Sequence, residues 1–151
     1  MPSAFDPETF AASTTNAANE TSFAPVPAGE YTAVIDDVVI RSTDYGPVAD
    51  VVWSIDDGAL KSTLGRDKIT VKQGVFLDVT DGPNGPTLDM SKGKNIALGR
   101  IREALDLNEE GQSFSLKMLK GAGPASIRVV HKPAKDSDEI YANVKSVGRA
   151  G

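Results

Sequence analysis

Lys68, Thr70, Lys72, Phe76 and Asp78 fall on one side of an extended chain when residues 67–80 are read at a period of two. Ile69, Val71, Val75, Leu77 and Val79 fall on the other, a core face rich in the β-branched residues that suit a pleated surface. Two ammonium groups and a ring on one strand face suit a groove for single-stranded nucleic acid. The cations neutralise phosphates, and the ring stacks on any base, because every base has a π-face. Two other readings stay open. In one, Phe76 packs under a loop while the lysines keep the strand soluble. In the other, Gly74 seats a bulge that flips the phase, burying Phe76 and exposing Val75.

A second set of this kind lies in residues 139–147. Ile140, Ala142 and Val144 share one face, and Tyr141, Asn143 and Lys145 share the other. Phe76 and Tyr141 are therefore the expected stackers. The expected phosphate contacts are Lys68, Lys72, Lys61, Arg66, Arg128 and Lys145, with Lys92 and Lys94 on the loop that enters a helix.

Other chemistry finds little support. The chain has no cysteine and a single histidine, His131, so neither a disulfide framework nor a thiolate zinc site can form. Gly93-Lys94-Asn95 lacks both the upstream glycine and the following Ser or Thr of a phosphate-binding loop. Asp36-Asp37 and Asp56-Asp57 could hold a divalent ion, but both pairs interrupt strands and read as bulge and turn residues. No nucleophile–base pair stands out. The expectation is a protein without catalytic activity, metal or cofactor.

Net charge is −5 over 151 residues, which argues against a uniformly basic binder, but the charge is unevenly placed. Residues 1–57 hold ten acidic groups and one basic group, Arg41, whereas residues 58–151 hold fifteen basic and eleven acidic ones, or +4. No apolar run approaches the roughly 18 residues of a membrane span, and no secretory signal opens the chain. A cytoplasmic location is expected.

The elements that must position these residues follow from pattern. Residues 1–28 read as an arm with Phe5, Phe10 and Phe23 as apolar anchors and a short helical turn at 6–10, suited to docking on the domain or on a neighbouring copy. The folded domain spans 29–147, and 148–151 form a short tail. Strand one starts at Gly29-Glu30-Tyr31 and runs to Arg41, with Asp36-Asp37 breaking its phase as a bulge does. Strand two turns Val51, Trp53 and Ile55 to the core. Residues 59–66 connect it to the lysine-bearing strand, which ends in a loop at Asp81–Pro86. A helix is expected over 95–107, with Gly99 marking close approach to a strand. A second, short helix is expected over 114–120, capped by Ser113 and stopped by Gly121. Strand four turns Ala125, Ile127 and Val129 inward, a polar hairpin covers 132–138, and strand five closes the domain. Three strands, a helix and two strands is the element order of the five-stranded Greek-key barrel called the OB-fold.

In this order the chain resembles a family of small phage-encoded single-stranded-DNA-binding proteins. The resemblance rests on Phe5-Asp6-Pro7-Glu8-Thr9-Phe10, Val26-Pro27-Ala28-Gly29-Glu30-Tyr31, Asp50–Asp57, Gly65-Arg66-Asp67, Val75-Phe76-Leu77-Asp78, Met90–Asn95 and Leu98–Ala104. It spans most of the chain and implies an OB-like barrel that coats single strands in phage replication or recombination, within the host cytoplasm. Its partners would be single-stranded DNA and replication or recombination proteins, with homo-oligomers forming through the arm. The tail Ser146–Gly151 departs from the acidic C-terminus by which many such proteins recruit partners, leaving the acidic N-terminal third as the remaining surface for that role. The competing expectation is a structural or protein-interaction module, such as a virion or assembly protein, using the same face. A nuclease built on the aspartate pairs is the third.

Overall fold

Tyr31, Ala33 and Ile35 alternate along an extended segment, so their side chains point to one side, and the core assembles there. The computed structural model describes residues 5–19, 24–134 and 140–150. It is mainly β. A short helix α1 (Pro7–Ala12) precedes strands β1 (Gly29–Thr43) and β2 (Gly46–Ile55), helix α2 (Gly58–Leu64), and strands β3 (Ile69–Phe76), β4 (Val79–Gly82) and β5 (Gly85–Leu88). Helix α3 (Ile96–Ala104), a 3-10 turn at Leu116–Leu119, and strands β6 (Ala125–Pro133) and β7 (Ile140–Arg149) complete the chain.

Five strands form one antiparallel sheet in the order β3-β2-β1-β6-β7, while β4 and β5 make a separate hairpin. The two edges, β3 and β7, also touch each other and both touch α3. Edges of a five-stranded sheet can meet only if the sheet coils strongly. No hydrogen-bonded ladder joins β3 to β7 among the described residues.

β1 is the hinge of this arrangement. Its first residues pair with β6, and from Ala33 onward it pairs with β2. The β1–β2 register slips between Ile35 and Asp37, leaving Asp36 as the extra residue of a bulge. At the same point the Ile35 N–H donates to Ala122 O (2.9 Å) and Ile35 O accepts from Gly121 N–H (2.7 Å), so the segment before β6 takes over the pairing.

The core holds the residues that alternation predicts: Ala33, Ile35, Val51, Trp53, Ile55, Ile69, Val71, Val75, Ala125, Ile127, Val129 and Val144, closed by Leu98 and Ile101 of α3 and by Leu119. Trp53 is fully buried, and its indole N–H donates to Gln73 Oε1 at 2.9 Å, which satisfies the one polar atom that burial would otherwise strand.

Several expectations need correction. Val79 is exposed, because β3 ends at Phe76 and the chain turns into a hairpin before Val79. The expected loop at Asp81–Pro86 is the centre of that hairpin, with Asp81 opposite Pro86 and Gly82 opposite Gly85. The expected connection at 59–66 contains helix α2, capped by the Asp57 carboxylate on the Leu60 N–H. The long helix is shorter than 95–107, since Asn95 sits in the left-handed region (φ 53°) and Asp106 (φ 58°) follows its end. Gly99 makes no close approach: a Cβ there would meet nothing within 4 Å. The helix expected over 114–120 is the 3-10 turn, and its N-cap is Ser115 rather than Ser113. Ile140 is exposed at the start of β7. Phe23 and part of the expected hairpin at 132–138 lie outside the described residues.

Candidate nucleic-acid interface

The register of β2 with β3 runs from Ile55↔Ile69 to Val48↔Phe76 without a shift, so Gly74 seats no bulge and the phase of β3 is regular. Ile69, Val71, Val75 and the following Leu77 are buried, and Thr70, Lys72, Gly74 and Phe76 occupy the outer face. Phe76 is 65% exposed.

Cross-strand partners set its neighbours. Arg41, Val48 and Phe76 form one row across β1, β2 and β3, and Val39, Asp50 and Gly74 form the next. A Cβ on Gly74 would stand 3.8 Å from Asp50 Oδ1 and 4.0 Å from Val48 Cγ1, so these residues share one face. Val48 is only 1% exposed, yet it stands outside the main core cluster, flanked by Phe76 and Arg41. Arg41 Nε donates to Asp50 Oδ2 at 2.6 Å. Gly74 thus leaves a gap in the row of side chains between Lys72 and Phe76, floored by apolar surface and an arginine–aspartate pair.

The same end of the sheet gathers residues from elsewhere in the chain. The turn between β1 and β2 carries Tyr45, 91% exposed, three residues before Val48. Beyond Phe76, the Leu77 N–H donates to Pro47 O (3.0 Å) and extends the ladder. Asp78 then meets Asn95 in a reciprocal clamp. The Asp78 N–H donates to Asn95 Oδ1 (2.8 Å), the Asn95 N–H to Asp78 Oδ2 (2.9 Å), and Asn95 Nδ2 to Asp78 O and Asp89 O. This clamp ties the loop of Lys92 and Lys94 to the chain just past the end of β3. Within that loop the Ser91 hydroxyl and N–H donate to Asp89 and keep its carboxyl below the usual aspartate range, with a smaller contribution from the charge of Lys94.

The remaining expected contacts are dispersed. Lys68 precedes β3 at its opposite end and pairs with Asp36 at 2.8 Å. Lys61 pairs with Asp56 at 2.8 Å, and Arg66 donates to Ala24 O. Arg128 lies 3.6 Å from Glu30 across β1 and β6. Tyr141 is half-exposed opposite Lys132, and Lys145 is the extra residue where the β6–β7 register slips. No ring contact joins Phe76 to Tyr141 among the described residues. Lys72, Lys92, Lys94 and Lys145 form no ion pair there.

The aspartate pairs are spent structurally. Asp36 is the bulge, Asp37 accepts from the Val38 N–H, Asp56 holds Lys61 and Asp57 caps α2. Among the described residues no group of three or more His, Cys, Asp or Glu could hold a metal ion, and no helix is long and apolar enough to cross a membrane.

Sequence reasoning missed Tyr45 and Arg41. Tyr45 had a visible signal, since a ring at a turn tip has no core to enter. Arg41 had none, because only cross-strand register sets it beside Phe76. No protein-family model matches the chain, and neither does any curated protein.

Proposed function

We propose that the chain binds single-stranded nucleic acid with little sequence preference, coating DNA in phage replication or recombination. The observation that carries this reading is the outward Phe76 on the same strand face as Lys72, which has no ion pair among the described residues, with the gap at Gly74 between them. An exposed ring gains little from folding, whereas stacking on a base contributes about 1–3 kcal/mol. Tyr45, Lys92 and Lys94 extend the surface, and Tyr141 with Lys145 on β7 supplies a second, smaller patch.

Strand order supports an OB-like barrel as the scaffold. Counting β6 and β7 as fourth and fifth strands, the order β3-β2-β1-β6-β7 is the one such a barrel would have if opened between strands three and five, and α3 falls where its helix would lie in the chain. In such barrels the outer face of the second and third strands is a nucleic-acid surface.

A second reading, a protein-interaction module, is favoured by the exposed ring pair of the arm. A gel-shift with single-stranded DNA, duplex DNA and single-stranded RNA at two salt concentrations separates the two. The nucleic-acid reading expects retardation of single strands that weakens with salt. No retardation at low salt defeats it.

A further inference from the structure

Arg102 is the one charged residue buried among the described residues, at 7% exposure, and the surface proposed above makes no use of it. Its Nε donates to Leu107 O at 3.0 Å, and its guanidinium carbon lies 4.0 Å over the Phe114 ring. No carboxylate pairs with it among the described residues. No buried side-chain nitrogen there lacks a partner, so the terminal guanidinium nitrogens, which have no protein acceptor, reach a cavity wall. Arg102 lines two adjoining cavities. One of about 460 Å³ is walled by Leu88, Met90, Phe114 and Leu116, with Thr87 and Ser115 at its edge. The other, about 320 Å³, shares Met90 and Arg102 and is bordered by Ile96, Lys94 and Arg100, with Glu103 as its one acid. A largely apolar groove with a mostly buried guanidinium on its wall, its terminal nitrogens still accessible, fits a carboxylate carried on an aromatic body.

The chain carries a segment of that chemistry. In α1 and the residues before it, the Phe5 and Phe10 rings lie 5.1 Å apart, both exposed, and the segment's charges are Asp6 and Glu8. Every residue of α1 is exposed, so a chain folded alone leaves the segment unseated. We propose that the Arg102 groove receives the Phe5–Phe10 segment of a second copy of this chain. A carboxylate of Asp6 or Glu8 meets the guanidinium, and a phenylalanine ring lies against Leu88, Met90 and Leu116. Reciprocal exchange closes a two-fold dimer, and one-way exchange builds a chain of copies. The inference is independent of the nucleic-acid reading.

The test uses the full chain in sedimentation velocity over a concentration series, and a fluorescent peptide of residues 5–12 in anisotropy titrations. The wild type self-associates and binds the peptide. Phe5→Ala with Phe10→Ala abolishes self-association, and Asp6→Asn with Glu8→Gln weakens it. Arg102→Met lowers peptide affinity by about tenfold, as loss of a hydrogen bond between charged groups does, while Arg102→Lys retains part of it. An equimolar mixture of the Phe5/Phe10 double variant and Arg102→Met associates more strongly than either variant alone, because one supplies the intact groove and the other the arm. Self-association that survives the exposed-arm variants overturns the proposal. So does peptide binding unchanged in a folded Arg102→Met, peptide binding by a chain that stays monomeric at every concentration, or a peptide displaced by oligonucleotide while the arm variants associate normally. Should Arg102→Met fail to fold, the arm variants, which touch no core, decide alone.

Discussion

Lys72 sits on the edge strand β3 and Lys68 four residues earlier, just before that strand begins, and their surroundings differ. Lys68 holds Asp36 at 2.8 Å, while nearby Lys61 holds Asp56 at 2.8 Å and Arg66 is engaged with the Ala24 carbonyl. Lys72 lies opposite Val52, has no ion pair among the described residues, and is followed on its face by Gly74 and Phe76. An exposed ion pair is worth only about 0–1 kcal/mol, but it cancels most of the local field and must be given up before a phosphate is met. Cations counted along a strand therefore overstate those available to a ligand. The candidate interface narrows to β3 from Lys72 onward and what the fold brings to it.

The strongest way to break this comparison is Phe76→Ala. Binding to single strands should weaken by roughly 5- to 150-fold, the factor for losing one base stack. Stability should fall by less than the about 3–5 kcal/mol expected for Trp53→Ala, since Phe76 is mostly exposed whereas Trp53 is fully buried in the core. Phe76→Trp should preserve binding. Thermal unfolding and affinity measured on the same proteins decide this, and a Phe76→Ala that melts as early as Trp53→Ala would make the ring structural.

Tyr45→Ala tests whether the surface extends past β3. Its effect should sit at the lower end of the same range, about fivefold, with an unchanged melting temperature because the ring packs on nothing that burial would reward. Equal affinities for the variant and the wild type would confine the site to β3.

The two lysines give a smaller contrast. Lys72→Ala should reduce the slope of log affinity against log salt by about 0.7, one phosphate contact on a single strand, and weaken binding to all sequences alike. Lys68→Ala should change it by well under half as much. Equal slopes for both variants would mean that the Lys68–Asp36 pair opens freely, and the distinction between the two ends would fail.

The smallest effect concerns the tied end alone. The hydrogen bond from Lys61, and then its charge, hold the Asp56 carboxyl below the usual aspartate value. Its folded-state pKa is depressed, so the associated stabilisation is present above the unfolded value and is lost as pH falls through the folded one. Carboxyl-carbon NMR should show Asp56 titrating low in the wild type and returning toward 3.8 in Lys61→Ala. An Asp56 indifferent to Lys61 would show that the pair does not persist in solution.

What the sequence determined by itself is everything that depends on period and local geometry. Alternation set the inward faces of β1, β2, β3 and β6, because successive side chains of an extended chain must point oppositely. It also turned Phe76 outward once Val75 and Leu77 were assigned to the core. The phase break at Asp36-Asp37 marked the bulge, and Asp6-Pro7 marked the start of α1. The tertiary structure alone decided which residues stand together. Arg41 joins Phe76 through the registers of two ladders, and the loop of Lys92 and Lys94 is tied to the end of β3 by the Asp78–Asn95 clamp, 17 residues apart in sequence. Lys68 was turned from a free cation into an ion-pair partner by Asp36, 32 residues away, which only folding brings near, whereas Lys61 meets Asp56 five residues before it. Val79, the hairpin at 79–88 and the short second helix were misplaced for a related reason. A turn such as Pro83-Asn84 and a 3-10 segment are chosen by what packs around them, and no period in the sequence encodes that.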